Sequence, residues 1–283
     1  MATNRYPPTA AELAQVDQAN ASGRRPVVFV HGLWLLPGSW DRWRELFESR
    51  GYSTLAPGWP DDPETVEEGR RRPELFAGKS IDGITDHFAQ VIGLLNAKPA
   101  IVGHSFGGLI TQKLAGRGLG SVSVPIDPAP FRGVLPLPLS ALKAAFPVLR
   151  SPANRKKSVM LTYEQFRFAF VNAVDEQEAK QLYERYPVPG SGIPLFQAAF
   201  ANLNPSTEAR VDSRTAQRGP MKFLSGEKDH TVPWAIANAS YKRQKRNEAE
   251  TVIQEMPNRG HSLVIDSGWQ DVAEAALAFI ESH

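Results

Sequence analysis

The chain has 283 residues, no cysteine, and a formal charge of +2 at pH 7 from 32 basic and 30 acidic side chains. That length buries a substantial core, near-balanced charge implies neither nucleic acid nor an acidic partner, and the lack of cysteine excludes disulfides and thiol catalysis. No apolar run approaches the ~20 residues of a membrane span and residues 1–25 show no apolar signal core, so the expectation is a cytoplasmic protein with a small-molecule substrate and neither nucleic-acid nor membrane partners.

Residues 1–25 read as a lead-in with a short helix over 10–19. Residues 26–30, Pro-Val-Val-Phe-Val, form a β-branched and aromatic run, the mark of a strand buried on both faces of a parallel sheet. The run leads into His31-Gly32-Leu33-Trp34. Trp40, Trp43, Leu46 and Phe47 then recur at helical spacing, and Gly51 ends that helix. A strand over 52–56 opens into a polar loop over 57–79. Ile81, Ile84, Phe88, Val91 and Leu95 mark the next amphipathic helix, on which His87 reads as a surface or boundary residue. Residues 99–102 predict a strand, followed by Gly103-His104-Ser105-Phe106-Gly107 and a helix beginning around Leu109 and Ile110. Strand, sharp turn and helix are the context in which G-x-S-x-G makes a nucleophile elbow: the glycines avoid collisions and the serine hydroxyl stands free.

Residues 122–126 predict another strand, ending at Asp127-Pro128. The pattern changes over 129–219, where a Pro-rich opening precedes helical segments near 140–149, 163–173, 176–186 and 195–202, with no strand. Basic runs at 70–72, 155–157 and 242–246 read as solvated surface. Alternation resumes with a strand over 221–226, then Glu227-Lys228-Asp229-His230, a helix over 234–245, a strand over 250–256, Gly260-His261 and a closing helix over 269–280. Strands alternating with helices imply a mostly parallel sheet with helices on both faces, whose sites lie beyond the carboxyl ends of strands. Those ends deliver Ser105, Asp127, Asp229 and His261. No metal-ligand cluster, Walker loop or dinucleotide fingerprint is present, so no metal or cofactor is expected.

His31-Gly-Leu-Trp, Gly103-His-Ser-Phe-Gly-Gly, Gly226-Glu-Lys-Asp-His-Thr-Val-Pro and Gly260-His-Ser resemble the successive signatures of the α/β-hydrolase superfamily, in particular its capped, esterase-like bacterial members. The resemblance implies an α/β-hydrolase core over 26–128 and 220–283 and a helical cap over 129–219, inserted after the sixth strand. The stretch before Pro26 is short for the two opening antiparallel strands of larger members. Ser105 is then the expected nucleophile and His261 the base. Asp229 matches the position of the orienting carboxylate, with Asp127 as rival because some relatives carry the acid one strand earlier. Backbone N–H groups of Leu33 and Phe106 are the expected oxyanion donors. His31 is expected to brace the oxyanion turn, and His104 to point away from the hydroxyl. Trp34, Phe166, Phe170, Phe196 and Phe200 are the expected pocket aromatics, favouring apolar acyl or aryl groups. The implied reaction is hydrolysis of a small, largely apolar carboxylic ester through an acyl-enzyme. The same residues could serve an amide or carbamate hydrolase, a cyanohydrin-type lyase or a low-turnover binding protein.

Overall fold

The computed structural model describes residues 6–283. In chain order its strands are β1 (Pro26–Val30), β2 (Ser53–Leu55), β3 (Ala100–His104), β4 (Val122–Ile126), the short β5 (Ser158–Val159) and β6 (Gly190–Ser191), β7 (Met221–Gly226) and β8 (Thr251–Met256). Six of them form one parallel sheet in the order β2-β1-β3-β4-β7-β8. Every residue of β1, β2, β3 and β4 is buried, as a parallel sheet covered on both faces requires.

The covering helices follow from the apolar spacing. They are α1 (Ala10–Ser22), α2 (Asp41–Ser49), α3 (Val66–Arg71), α4 (Ile81–Gly93) and α5 (Phe106–Gly116) before the insertion. Helices α6 (Leu139–Leu149), α7 (Tyr163–Ala169), α8 (Glu176–Arg185) and α9 (Gly192–Ala199) lie within it, and α10 (Trp234–Gln244) and α11 (Trp269–Glu281) follow. Trp40, Trp43 and Phe47 pack around Phe29 of β1, with ring centroids within this cluster 5.0–6.3 Å apart, which seats α2 on the sheet. Helix α5 packs on β3 and β4, with α4 beside it.

Four details depart from the sequence expectations. The insertion follows the fourth strand rather than the sixth, because the described residues before Pro26 form α1 instead of two opening strands; a Thr9–Glu12 capping box starts that helix. The loop over 57–79 contains α3. The insertion holds a two-residue antiparallel pair, β5 with β6, as well as its helices. His87 is buried rather than peripheral: its Nε2 lies 2.9 Å from Glu12 Oε1, joining α4 to α1.

Candidate active site

Ser105 occupies the turn between β3 and α5 with φ 57° and ψ −120°, a conformation costly for a side-chain-bearing residue. Gly103 and Gly107 permit the turn. A Cβ on Gly103 would overlap Gly107 O and Thr111 Oγ1, and one on Gly107 would overlap the carbonyl of Val30. Trp34 (φ 68°) and Asp127 (φ 39°) also hold positive φ, so three of the five such non-glycine residues among those described lie just beyond the ends of β1, β3 and β4.

A hydrogen-bonded chain starts at this serine. Ser105 Oγ lies 3.0 Å from His261 Nε2, and His261 Nδ1 lies 2.6 Å from Asp229 Oδ2. A carboxylate can only accept, so the proton of neutral His261 resides on Nδ1 and leaves Nε2 free to accept from the serine. All three side chains are buried. The loop bearing His261 is fixed from outside: Trp43 Nε1 donates to Val264 O at 2.9 Å, and Ser262 N donates to Phe170 O at 2.9 Å. Asp229 Oδ1 accepts from the backbone N–H groups of Thr231 and Val232 at 2.6 and 2.8 Å. Burial pushes the Asp229 pKa up, but His261, Asp127 and the Val232 N–H outweigh it and hold the carboxyl below its usual range. Asp229 is therefore an anion at neutral pH.

Asp127 lies next to this chain. One of its carboxyl oxygens, one of Asp229 and a ring nitrogen of His261 are within 4.8 Å of one another. Gly226 N donates to Asp127 Oδ1 at 2.9 Å, while Oδ2 is buried with no donor of its own among the described residues. Burial, then the charge of Asp229, push Asp127 well above the ordinary carboxyl range. A proton retained on Asp127 turns its contact with Asp229 into a hydrogen bond. The two acids weighed as rivals in the sequence are thus neighbours, with only Asp229 bonded to His261. Their adjacency could be anticipated only by setting the ends of β4 and β7 side by side.

His104 packs its ring 4.6 Å from that of His261, centroid to centroid. Burial, then the facing His261, hold its pKa well below the ordinary 6.5, so it forms a neutral wall. His31 braces the turn that follows β1: its Nε2 is 3.0 Å from Asp62 Oδ2, and Asp62 Oδ1 takes the buried Lys79 ammonium at 2.8 Å. Burial acts against the Asp62 charge, but Lys79 and His31 more than offset it and lower its pKa. Nothing in the sequence singled out Asp62 or Lys79. The turn itself abuts the serine, since a Cβ on Gly32 would come 2.9 Å from Ser105 Cβ. Trp34 is pinned by Nε1 donating to Val159 O at 2.9 Å. Leu33 is the next residue after Gly32, and Phe106 opens α5, where backbone N–H groups have no intrahelical acceptor.

Ser105 opens into a cavity of about 440 Å³ between the sheet and the insertion, lined by Trp34, Phe106, Phe131, Leu142, Leu149 and Ile236 among others. Of the five aromatics expected to line it, Trp34 alone does so. Phe166 and Phe170 stack on each other at 4.9 Å inside the insertion's core, and Phe170 sets its edge against the His261 ring at 4.7 Å. On α9 the cavity is met by Leu195 and Ala198, while Phe196 stacks on Phe200, which is 52% exposed.

Among known proteins, the profile described as "Alpha/beta hydrolase family" matches residues 27–275. No curated protein matches the sequence. The structure is similar to that of a monoacylglycerol lipase from Paleococcus ferrophilus (TM-score 0.63, 20% identity, 91% of this chain and 94% of that one covered). It is also similar to a pyrethroid hydrolase from Sphingobium faniae (0.64, 16%, 91% and 97%) and to a methylesterase from Arabidopsis (0.64, 13%, 92% and 100%). At these identities the likeness concerns the fold.

Proposed function

Because the chain belongs to the alpha/beta hydrolase family, we propose that it is a serine hydrolase acting on a small, largely apolar carboxylic ester, with Ser105 as nucleophile, His261 as base and Asp229 as its orienting carboxylate. The observation that carries this reading is the unbroken chain Ser105–His261–Asp229, at 3.0 and 2.6 Å, opening on an apolar cavity.

In the first half-reaction Ser105 Oγ attacks the ester carbonyl carbon while His261 Nε2 takes the hydroxyl proton. The imidazolium so formed is stabilised by the Asp229 anion. Negative charge collects on the former carbonyl oxygen, toward which Leu33 and Phe106 N–H groups are assigned as donors; one well-placed donor contributes ~3–4 kcal/mol. Collapse breaks the bond to the alcohol oxygen, and His261 returns the proton to the departing alkoxide. Water then attacks the acyl-enzyme with His261 again as base, releasing the acid and restoring Ser105. The insertion serves as the cap that keeps bulk water from this chemistry and shapes the acyl pocket.

A fluorophosphonate probe is expected to label Ser105 covalently, and p-nitrophenyl esters to turn over faster than the matching anilides. Folded protein left unlabelled refutes the serine mechanism. Faster anilide cleavage moves the assignment to an amidase.

A further inference from the structure

Large apolar side chains left in water are concentrated on this chain. Nine are exposed among the described residues, and seven of them fall in two stretches: Leu135, Leu137, Leu139, Leu142 and Phe146 in one, Phe200 and Leu203 in the other. The stretches are tied together, because Asn202 Oδ1 accepts Gly133 N–H at 2.6 Å and its Nδ2 donates to Val134 O at 2.8 Å. On α6, positions 139, 142, 143, 146 and 150 share one face. Leu139, Leu142, Lys143, Phe146 and Arg150 on that face are all exposed, while Ala144, Pro147 and Val148 opposite are buried. Leu135, Leu137 and Leu142 also line the Ser105 cavity, so the apolar face runs directly into the site.

Charge indicates what covers it. Residues 128–163 carry six basic side chains (Arg132, Lys143, Arg150, Arg155, Lys156 and Lys157) and no acid, in a chain with a net charge of only +2; residues 186–207 carry no acid either. None of the six is in an ion pair among the described residues. Asn154 Nδ2 donates to Val148 O at 3.0 Å, which holds the exposed 155–157 run at the end of α6. A second copy docked about a two-fold axis would set these cations against themselves. An anionic lipid surface accepts both features: the apolar side chains enter the acyl boundary and the cations meet the headgroups.

We infer that the exposed face of α6, with residues 135–137 and 200–203, docks on an anionic phospholipid bilayer and admits apolar substrate from it to the Ser105 cavity. As a substrate route this rests on the hydrolase reading above; as a binding surface it does not. No helix among the described residues is long and apolar enough to cross a membrane, and docking of this kind needs none. The expectation of no membrane partner considered spanning segments only.

Co-sedimentation of the full chain with phosphatidylcholine vesicles, with and without phosphatidylglycerol, tests the surface. The protein is expected to pellet with the phosphatidylglycerol vesicles and to be released as salt rises. Arg155→Gln/Lys156→Gln/Lys157→Gln should weaken binding about a hundredfold, at about fivefold per charge. Leu139→Gln/Phe146→Gln should weaken it by about tenfold or more. Neither set lines the cavity, so both variants should keep wild-type turnover of a water-soluble p-nitrophenyl ester, and Ser105→Ala should still bind vesicles. Absence of pelleting at low salt, or pelleting that neither variant changes, overturns the inference. So does a dimer that Leu139→Gln/Phe146→Gln splits without any vesicle binding. Protein that hydrolyses the soluble ester yet never pellets refutes the surface alone, whereas protein that pellets but cleaves no ester refutes the hydrolase reading alone.

Discussion

Replacing Asp127 by asparagine separates two roles that a second carboxyl group beside Asp229 could have. If both acids were ionised, two like charges within 4.8 Å would repel by roughly 3 kcal/mol or more at an effective dielectric constant of about 20. Asp229, with His261 and two backbone donors, is the better place for the charge, so a proton held by the pair sits on Asp127. Asparagine has the same shape and the same polarity pattern: its Oδ1 can accept from Gly226 N, and its Nδ2 can donate to Asp229. Asp127→Asn should therefore change kcat/KM on a p-nitrophenyl ester by less than about 1 kcal/mol, roughly fivefold. Asp229→Asn removes the group that fixes the His261 tautomer and should cost ~10⁴, the loss seen in one studied triad.

Stability against pH provides the second reading of the same variant. The Asp127 pKa is raised by folding above its ordinary 3.8. Its contribution is thus fully present below pH 3.8 and is lost as pH rises toward the folded value, because the unfolded chain ionises first. An asparagine at this position has no such dependence. Over that window the variant should gain on the wild type by about 1.4 kcal/mol per pH unit, read from urea unfolding of both proteins near pH 4 and near neutrality. A variant as inactive as Asp229→Asn, or a stability difference that does not move with pH, refutes a protonated Asp127.

The remaining predictions bear on other parts of the molecule. Ser105→Gly should be more stable than Ser105→Ala by about 1–3 kcal/mol in urea, since both lack the hydroxyl and only glycine relieves φ 57°; equal midpoints would remove the strain argument. Gly107→Ala should destabilise by at least about 2 kcal/mol or fail to accumulate, because its Cβ meets backbone of β1 rather than a movable side chain. Folding raises the His87 pKa from 6.5, a benefit lost as pH climbs through the folded value, and lowers that of Glu12 from 4.5, a benefit lost as pH falls through it. The melting difference between wild type and Glu12→Gln should accordingly peak between pH 4.5 and 6.5. Leu149→Ala should shift preference toward longer acyl chains, whereas Phe166→Ala should cost about 3–5 kcal/mol of stability and leave the acyl-chain ranking unchanged.

What the sequence made legible was local. The elbow could be read because Gly103, Ser105 and Gly107 are constrained by one another and by the strand before them. The alternation of strands and helices led to a parallel sheet because few other arrangements bury runs such as residues 26–30 on both faces. Long-range pairings were hidden. Asp127 and Asp229 looked like alternatives because their adjacency depends on β4 pairing with β7 across the whole insertion, in the register Ile126 to Leu224. His87 looked peripheral because its partner, Glu12, is 75 residues away. The pocket failed for a different reason. Large aromatics such as Phe166 and Phe170 fill space, so they close the insertion's interior. The cavity exists where the facing residues are small, at Ala129, Ala141, Ala144, Ala145 and Ala198, with leucines between them. Helical phase adds to this, since Leu195 and Phe196 are adjacent in sequence but about 100° apart around α9, and only Leu195 meets the cavity. A search for bulky side chains finds the packing of the insertion; the cavity beside it is marked by the positions where bulk is missing.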